Sequence, residues 1–200
     1  MAEELYIGPK FETVFISRET PVHELLHFLK FWSQEFHKSG LTPSHEKGTA
    51  GNLSFRRQSG KKAFYITSAG LNSKTNLTKE DLVLVEDCDL LERKVFVRGS
   101  KLPSSESMMH HVIYETLLEV NAIFHGHNQW LLDNATSLGI PVTKNECEYG
   151  SEELVQSVMP MLGKVDFFLI KDHGFLSLGK NMDTAGKKAL AVIKNMKTGR

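Results

Sequence analysis

The sequence has few cysteines, no excess charge of either sign and no long hydrophobic run. Its 200 residues include two cysteines, Cys88 and Cys147, which form no CxxC pair. This pattern argues against a four-cysteine zinc ribbon and fits a reducing compartment. Lysine and arginine together number 24, as do aspartate and glutamate. The formal net charge is therefore zero. A protein without excess positive charge has no overall electrostatic attraction to nucleic acid or to an anionic membrane surface.

Signals for membrane insertion and secretion are also missing. The sequence contains no run of about 18 apolar residues, the length that predicts a membrane span. Residues 1–6 are acidic and have no apolar core of the kind found in secretory signals. We therefore expect a cytoplasmic protein that binds neither nucleic acid nor membrane. No linker-like segment divides the chain, so we expect a single domain over 1–200.

Hydrophobic spacing predicts a mixture of helices and strands. Apolar residues at helical spacing predict a first helix over 20–37 with Thr20 as its cap, and a last helix capped by Asp183. Another helix is expected to begin at the serine pair 104–105, and an acidic turn at 87–89. Several predicted strands follow one another through short turns, which favours an α/β sandwich with a largely antiparallel sheet. These strands are 62–67, 81–86, 94–97, 121–127, 165–170 and 175–178.

The most specific local pattern is His125-Gly126-His127. Alternate side chains of a strand point to the same face, so two imidazoles converge and form half of a site for zinc or a similar ion. His173 directly follows the predicted buried strand 165–170, and it is a candidate third ligand at the same sheet edge. Three histidines with an open position are typical of catalytic zinc. The alternative is a set of surface or core histidines without a metal.

Further candidates lie where a helix begins and where the chain turns. Glu106 lies at the start of the helix that leads to the HxH strand, so it is a candidate metal ligand or general acid/base. The alternative is an acid that only stabilises the helix N-terminus. The glycine turn over 48–52 offers backbone N–H groups to an anion, and the serine pair 104–105 adds hydroxyls at a helix N-terminus. For these two segments the alternatives are a tight turn and a helix cap.

Six segments, taken in order, resemble the class II aldolase and adducin amino-terminal family. The resemblance covers almost the whole chain. The segments are 48–54, 66–70, 103–106 with His110 four residues on, 121–127, 149–154 and 172–174.

The resemblance implies a three-layer α/β/α fold around a mostly antiparallel central sheet, assembled as a cyclic homotetramer with sites between subunits. It implies a Zn²⁺ ion, or another divalent transition metal, with Glu106 as the resting fourth ligand and the acid/base. The substrate is then a small phosphorylated ketose, cleaved by retro-aldol chemistry through a metal-stabilised enediolate. The implied histidine ligands are His125, His127 and His173. The implied phosphate cradle is Gly51, Asn52, Gly70, Ser104 and Ser105.

Two departures from the family pattern keep other reactions open. Ala69 stands where sugar-phosphate aldolases usually carry a hydroxyl, so Ser68 is the candidate replacement. No residue between Pro141 and Tyr149 matches the tyrosine that a neighbouring subunit supplies as proton donor. The alternatives are a sugar-phosphate 4-epimerase or decarboxylase of the same family, and, least favoured, a non-catalytic adducin-like scaffold, which has no need of three histidines. Glu106 favours the lyase because the related epimerases carry aspartate there.

Overall fold

The computed structural model describes residues 8–45 and 48–197, without the side chains of 195–197. Short 3₁₀ helices lie at Lys79–Asp81 and Met159–Met161. The described helices are α1 (Leu26–Lys38), α2 (Ser107–Thr116), α3 (Gln129–Asp133), α4 (Glu152–Val158) and α5 (Met182–Lys197). The described strands are β1 (Glu12–Ser17), β2 (Ser44–His45), β3 (Gly48–Thr49), β4 (Asn52–Arg56), β5 (Phe64–Thr67), β6 (Leu82–Asp89), β7 (Lys94–Arg98), β8 (Ala122–Gly126), β9 (Phe167–Ile170) and β10 (Gly174–Gly179).

Eight of these strands form one sheet in the order β1-β7-β6-β5-β4-β8-β10-β9, and β2 pairs with β3. Every neighbouring pair in the large sheet is antiparallel except β1 with β7. The strands predicted from the sequence do not include β1, which joins the sheet edge through a contact distant in sequence. The predicted mostly antiparallel central sheet is confirmed.

Helices cover both faces of this sheet. Successive residues of a strand point to opposite faces, and β8 divides in this way. Phe124 belongs to the hydrophobic core with Trp32 of α1, whereas Ile123 belongs to the core with Met109 of α2. Helices α1, α3 and α5 line the first core, and α2 and α4 line the second. The three-layer α/β/α arrangement is therefore confirmed. In the described part of the chain, no helix has the length and apolar character needed to cross a bilayer.

The first helix begins later than the sequence predicts. It starts at Leu26 rather than Thr20, because His23 forms a separate turn ahead of it. The Nδ1 atom of His23 accepts the N–H of Leu25 at 3.1 Å, and its carbonyl accepts the N–H of Leu26 at 3.2 Å. Val22, an apolar position of the predicted helix, is 84% exposed. Without packing at this position, the predicted first turn has little to stabilise it.

The predicted acidic turn at 87–89 is also displaced. Strand β6 continues through these residues to Asp89, and the turn follows at 90–93. Cys88 and Asp89 still pair with β7. The ladder between the two strands overrides the turn preference of the acidic residues.

The last helix has a different cap from the predicted one. Helix α5 begins at Met182, so Asp183 lies inside its first turn. Asn181 acts as the cap, because its Oδ1 accepts the N–H of Thr184 at 2.8 Å. Asp183 instead accepts a hydrogen bond from Nε1 of Trp32 at 3.1 Å, which connects α5 to α1.

A glycine in α5 allows this close contact between helices. A Cβ atom at Gly186 would lie 2.3 Å from Cε3 of Trp32. Gly→Ala inside a helix usually stabilises by about 1 kcal/mol. Here we expect Gly186→Ala to destabilise by about 1–3 kcal/mol, the usual cost of overpacking. The free energy of unfolding in urea measures the difference.

Lys187→Ala is the matched control, because Lys187 is the next residue of α5 and its side chain is 73% exposed. We expect this control to change the free energy of unfolding by no more than about 0.5 kcal/mol. A Gly186→Ala protein that is as stable as the parent contradicts the assigned helix contact.

Candidate functional site

β8 and the residue after it bring two imidazoles together. This strand lies between β4 and β10, and His125 pairs with Asn52 of β4. His127 lies just beyond the last residue of the strand, Gly126, and not on the strand as predicted. Its Nε2 nevertheless lies 2.9 Å from Nε2 of His125. The predicted convergence of the two imidazoles is present, although the strand is shorter.

A backbone carbonyl fixes the orientation of the His125 ring. The Nδ1–H group donates to the carbonyl oxygen of Phe175 on β10 at 2.8 Å. A neutral imidazole carries one proton, so this hydrogen bond leaves the lone pair on Nε2. Histidines that bind metals are commonly held in this way. His125 is therefore oriented to act as a ligand through Nε2.

His173 reaches the same place from the turn between β9 and β10. Its N–H donates to the carbonyl of Ile170 at 3.1 Å, and the preceding Asp172 has a left-handed φ of 54°. The rings of His173 and His125 stack with centroids 5.1 Å apart. Ligand atoms of His125, His127 and His173 all lie within 4.8 Å of one another.

Glu106 completes this cluster from the N-terminus of α2. It is 5% exposed. Its Oε1 lies 2.8 Å from Nε2 of His173, and its Oε2 lies 3.2 Å from Nε2 of His125. Asn52 donates from Nδ2 to Oε2 of Glu106 at 2.6 Å. The four residues predicted as metal ligands are thus brought together from three separate parts of the chain.

The N-terminus of α2 differs in detail from the prediction. Glu106, and neither serine of the 104–105 pair, is the N-cap residue, and its side chain does not cap the helix. The carbonyl of Ser104 accepts the N–H of Ser107 at 3.0 Å and its hydroxyl at 2.7 Å. The carboxylate of Glu106 is therefore available to the histidines.

Burial and mutual interactions set the charges in this cluster. Burial by itself would raise the pKa of Glu106, but His125 and His173 hold that pKa well below its usual range. Burial lowers the pKa of His125 to about 4, although Glu106 opposes the change. Burial also lowers the pKa of His127 well below its usual value. An ionised carboxylate beside neutral imidazoles is the protonation state that binds a divalent cation.

This set of donors fits a divalent transition metal. Three imidazole nitrogens and one carboxylate oxygen suit zinc, and they also suit manganese or cobalt. The lone pair on Nε2 of His125 faces the carboxylate of Glu106 at 3.2 Å. A positive charge at this point stabilises the two groups.

Most of the predicted phosphate positions lie beside this cluster. Ser68 follows β5 and forms an isolated bridge with Pro103, which places it next to the serine pair 104–105. Asn52 lies on β4, adjacent to β5, and bonds to Glu106. The Oδ1 of Asn52 and the Oγ of Ser68 are buried and have no hydrogen-bond partner among the described residues. Buried polar atoms are rarely left unpaired, so these two indicate a place for a polar ligand.

In the predicted anion-binding turn over 48–52, two backbone N–H groups donate hydrogen bonds to other parts of the protein. The N–H of Thr49 donates to the carbonyl of Leu71 at 2.8 Å, and the N–H of Ala50 donates to the carbonyl of Pro43 at 2.9 Å. The hydroxyl of Thr49 also donates to Leu71, at 2.9 Å. These groups are therefore engaged within the protein and do not form the expected nest.

Gly51 has a different function in this turn. Its φ is +74°, and a Cβ atom there would lie 2.7 Å from the carbonyl oxygen of His125. Glycine allows the chain to pass this close to the backbone of β8 before β4 begins. The close approach places Asn52 beside the histidine cluster.

Lys74 is a buried residue beside these loops and is not among the site residues predicted from the sequence. Its side chain is fully enclosed, and Nζ donates to the carbonyl oxygens of Thr49 and Ala50. Burial lowers its pKa to about 7, while Glu106 opposes the change. A lysine within the polar run 72–76 predicts an exposed loop, so no sequence signal marked it.

Comparisons with known proteins agree with the fold. Residues 32–198 match the family described as Class II Aldolase and Adducin N-terminal domain. An L-fuculose phosphate aldolase of Methanococcus maripaludis is 31% identical over 152 residues, which cover 69% of this chain and 77% of that protein. A methylthioribulose-1-phosphate dehydratase of Yersinia enterocolitica is 30% identical over 129 residues, covering 62% of this chain and 56% of that protein.

A solved structure gives independent support for the fold. The L-fuculose-1-phosphate aldolase of Thermus thermophilus superposes with a TM-score of 0.63 at 22% identity, covering 88% of this chain and 95% of that one. The family match extends from α1 to α5 and includes all four residues of the candidate metal cluster. This chain belongs to the Class II Aldolase and Adducin N-terminal domain family.

Proposed function

We propose that this protein is a metal-dependent aldehyde-lyase that cleaves a small phosphorylated ketose of the fuculose-1-phosphate type. The observation that carries the proposal is the cluster of buried Glu106 and His125 with the partly buried His127 and His173, beside polar atoms that have no partner among the described residues. In this proposal Zn²⁺, or another divalent transition metal, is held by His125, His127 and His173, with Glu106 as the fourth ligand at rest. The phosphate group is held by Gly51, Asn52, Ser68, Gly70, Ser104 and Ser105.

Glu106 has the position and charge of an acid/base in this reaction. A divalent cation, when bound, supplies electrostatic stabilisation of the negative charge that develops on the enediolate oxygens. The ionised carboxylate accepts the proton of the hydroxyl whose carbon becomes the aldehyde, and returns a proton to carbon after the bond breaks. Asn52 holds this carboxylate in place through its hydrogen bond to Oε2.

The loops beside the cluster orient the other end of the substrate. The N-terminus of α2 and the serine pair 104–105 suit a phosphate, because a helix N-terminus carries partial positive charge. Fixing the phosphate holds the reacting carbon next to Glu106, and such positioning lowers the entropic part of the barrier.

A second candidate reaction is the loss of water from a phosphorylated ketose. The Yersinia enterocolitica relative, named a methylthioribulose-1-phosphate dehydratase, supports this reading. A 4-epimerase or decarboxylase also remains compatible with the site, because no tyrosine between Pro141 and Tyr149 matches the expected proton donor. All these reactions need a stabilised enolate, so the shared step is the one to test first.

We expect the protein to catalyse deuterium exchange into dihydroxyacetone phosphate in heavy water. The exchange follows enolate formation and requires no knowledge of the aldehyde. Proton NMR measures the rate, first with the metal-loaded protein and then after treatment with a chelator. Loss of exchange with chelator and its return with added metal support the proposal. No exchange by a protein shown to hold one metal per chain contradicts the aldolase assignment, and the other reactions then take precedence.

We propose a single domain over 1–200 that forms a cyclic homotetramer in the cytoplasm. Sedimentation equilibrium of the purified protein tests the tetramer directly.

A further inference from the structure

Lys74 links the two loops that carry most of the proposed phosphate positions. The chain reaches it soon after Gly70, and its Nζ donates back to the loop before Gly51. The bonds go to the carbonyl of Thr49 at 3.0 Å, the hydroxyl of Thr49 at 2.7 Å and the carbonyl of Ala50 at 2.9 Å. The two loops thus form one unit beside the metal cluster.

Within the described residues, the ammonium of Lys74 forms no ion pair. Its side chain is 2% exposed, and no carboxylate of the described residues lies within ion-pair distance of it. All three acceptors of its hydrogen bonds are neutral oxygens. Burying a cation is costly unless an opposite charge is near. Burial accordingly lowers the pKa of Lys74 to about 7, and an anion bound nearby would stabilise its charged form.

The charge of Lys74 affects the pKa values of residues in the metal cluster. It contributes to lowering the pKa of His125 and His127, and Glu106 acts on Lys74 in the opposite direction. With a divalent cation bound, the charges of the cation, Glu106 and Lys74 sum to a net positive charge. A phosphate dianion balances this sum, whereas an unphosphorylated sugar does not.

We propose that Lys74 is the positioning residue that makes this site select phosphorylated ligands. It acts through its buried charge and through its hydrogen bonds to the loop before Gly51. The inference rests on the proposed function, because it assumes that the ligand carries a phosphate. Since the three N–H groups of the ammonium are already used, Lys74 acts on the phosphate through the electrostatic field and through the loop. A merely structural lysine would instead affect all ligands alike.

Binding of inorganic phosphate tests this role without any reaction. We compare the metal-loaded wild type with Lys74→Gln, which keeps hydrogen-bond donors but removes the charge, by isothermal titration calorimetry. We expect the phosphate dissociation constant to rise roughly tenfold or more, as expected for a charge acting over a short distance inside a protein. Lys187→Gln removes an equal charge from the exposed side of α5 and is expected to leave phosphate binding unchanged. Lys74→Met is the second variant if the glutamine form does not fold.

Isotope exchange distinguishes a loss of selectivity for phosphorylated ligands from a general loss of activity. In Lys74→Gln we expect the KM for dihydroxyacetone phosphate to rise while its kcat changes little, and exchange into unphosphorylated dihydroxyacetone to keep its rate. A phosphate dissociation constant within about twofold of wild type, or an equal loss for both exchange substrates, overturns the inference. If neither the wild type nor the variants show exchange but phosphate binding still depends on Lys74, the proposed reaction fails and the role of Lys74 stands. If wild-type exchange is present and Lys74→Gln binds phosphate normally, only the role of Lys74 fails.

Discussion

His125→Ala is expected to remove the metal and abolish turnover while leaving the fold largely intact. His125 supplies one of three imidazoles, and its ring is oriented by the carbonyl of Phe175. Losing even an outer partner of a metal ligand costs about 10–100-fold in metal affinity or activity, so losing the ligand itself should cost more. Metal content by mass spectrometry and exchange into dihydroxyacetone phosphate measure the two effects. Circular dichroism tests whether the secondary structure is retained.

The matched control for this substitution is His27→Ala. His27 lies on the exposed side of α1, where its Nδ1 contacts the carbonyl of Glu24 at 2.6 Å. This variant should keep both its metal and its exchange rate. Full activity in a metal-free sample of His125→Ala would show that the assigned cluster has no part in the reaction.

Glu106→Gln is expected to keep the metal but to lose most of the proton transfer. Glutamine has the same shape as glutamate, and the three histidines remain to hold the ion. It can also accept the hydrogen bond from Asn52, so the geometry of the site is preserved. Removing a general acid/base commonly lowers the rate about 10²–10⁴-fold. The rate of deuterium exchange at saturating substrate, measured together with metal content, tests this expectation.

Glu115→Gln offers the same chemical change on the same helix. Glu115 has a half-exposed side chain and lies 3.4 Å from His111, away from the metal cluster. Its exchange rate should match that of the wild type. Normal turnover by metal-loaded Glu106→Gln would show that another group moves the proton.

The sequence was informative wherever a local pattern carried the structural signal. Successive strands through short turns predicted the antiparallel sheet, and the structure confirms it. The spacing of His125 and His127 predicted their convergence, which depends only on two neighbouring positions in one segment. The order of the six family-like segments predicted that His173 and Glu106 would join them.

Local patterns were misleading where a distant contact outweighed a local preference. Asp183 is a residue type that commonly caps helices. Its carboxylate instead accepts a hydrogen bond from Trp32, which is distant in sequence. The glycine turn over 48–52 has the composition of an anion nest. Leu71 and Pro43 nevertheless accept two of its N–H groups. Such preferences are worth about 1 kcal/mol, and tertiary contacts of similar strength can override them.

The sequence by itself determined the family, the layered fold and the residue types available to bind a metal. Hydrophobic periodicity and short motifs are local, so they can be read without knowing which distant segments meet. Only the tertiary structure decided that Asn52 holds the carboxylate of Glu106 in place beside the histidines. It alone showed the burial of Lys74, because the loss of solvent around a side chain depends on how separate loops pack.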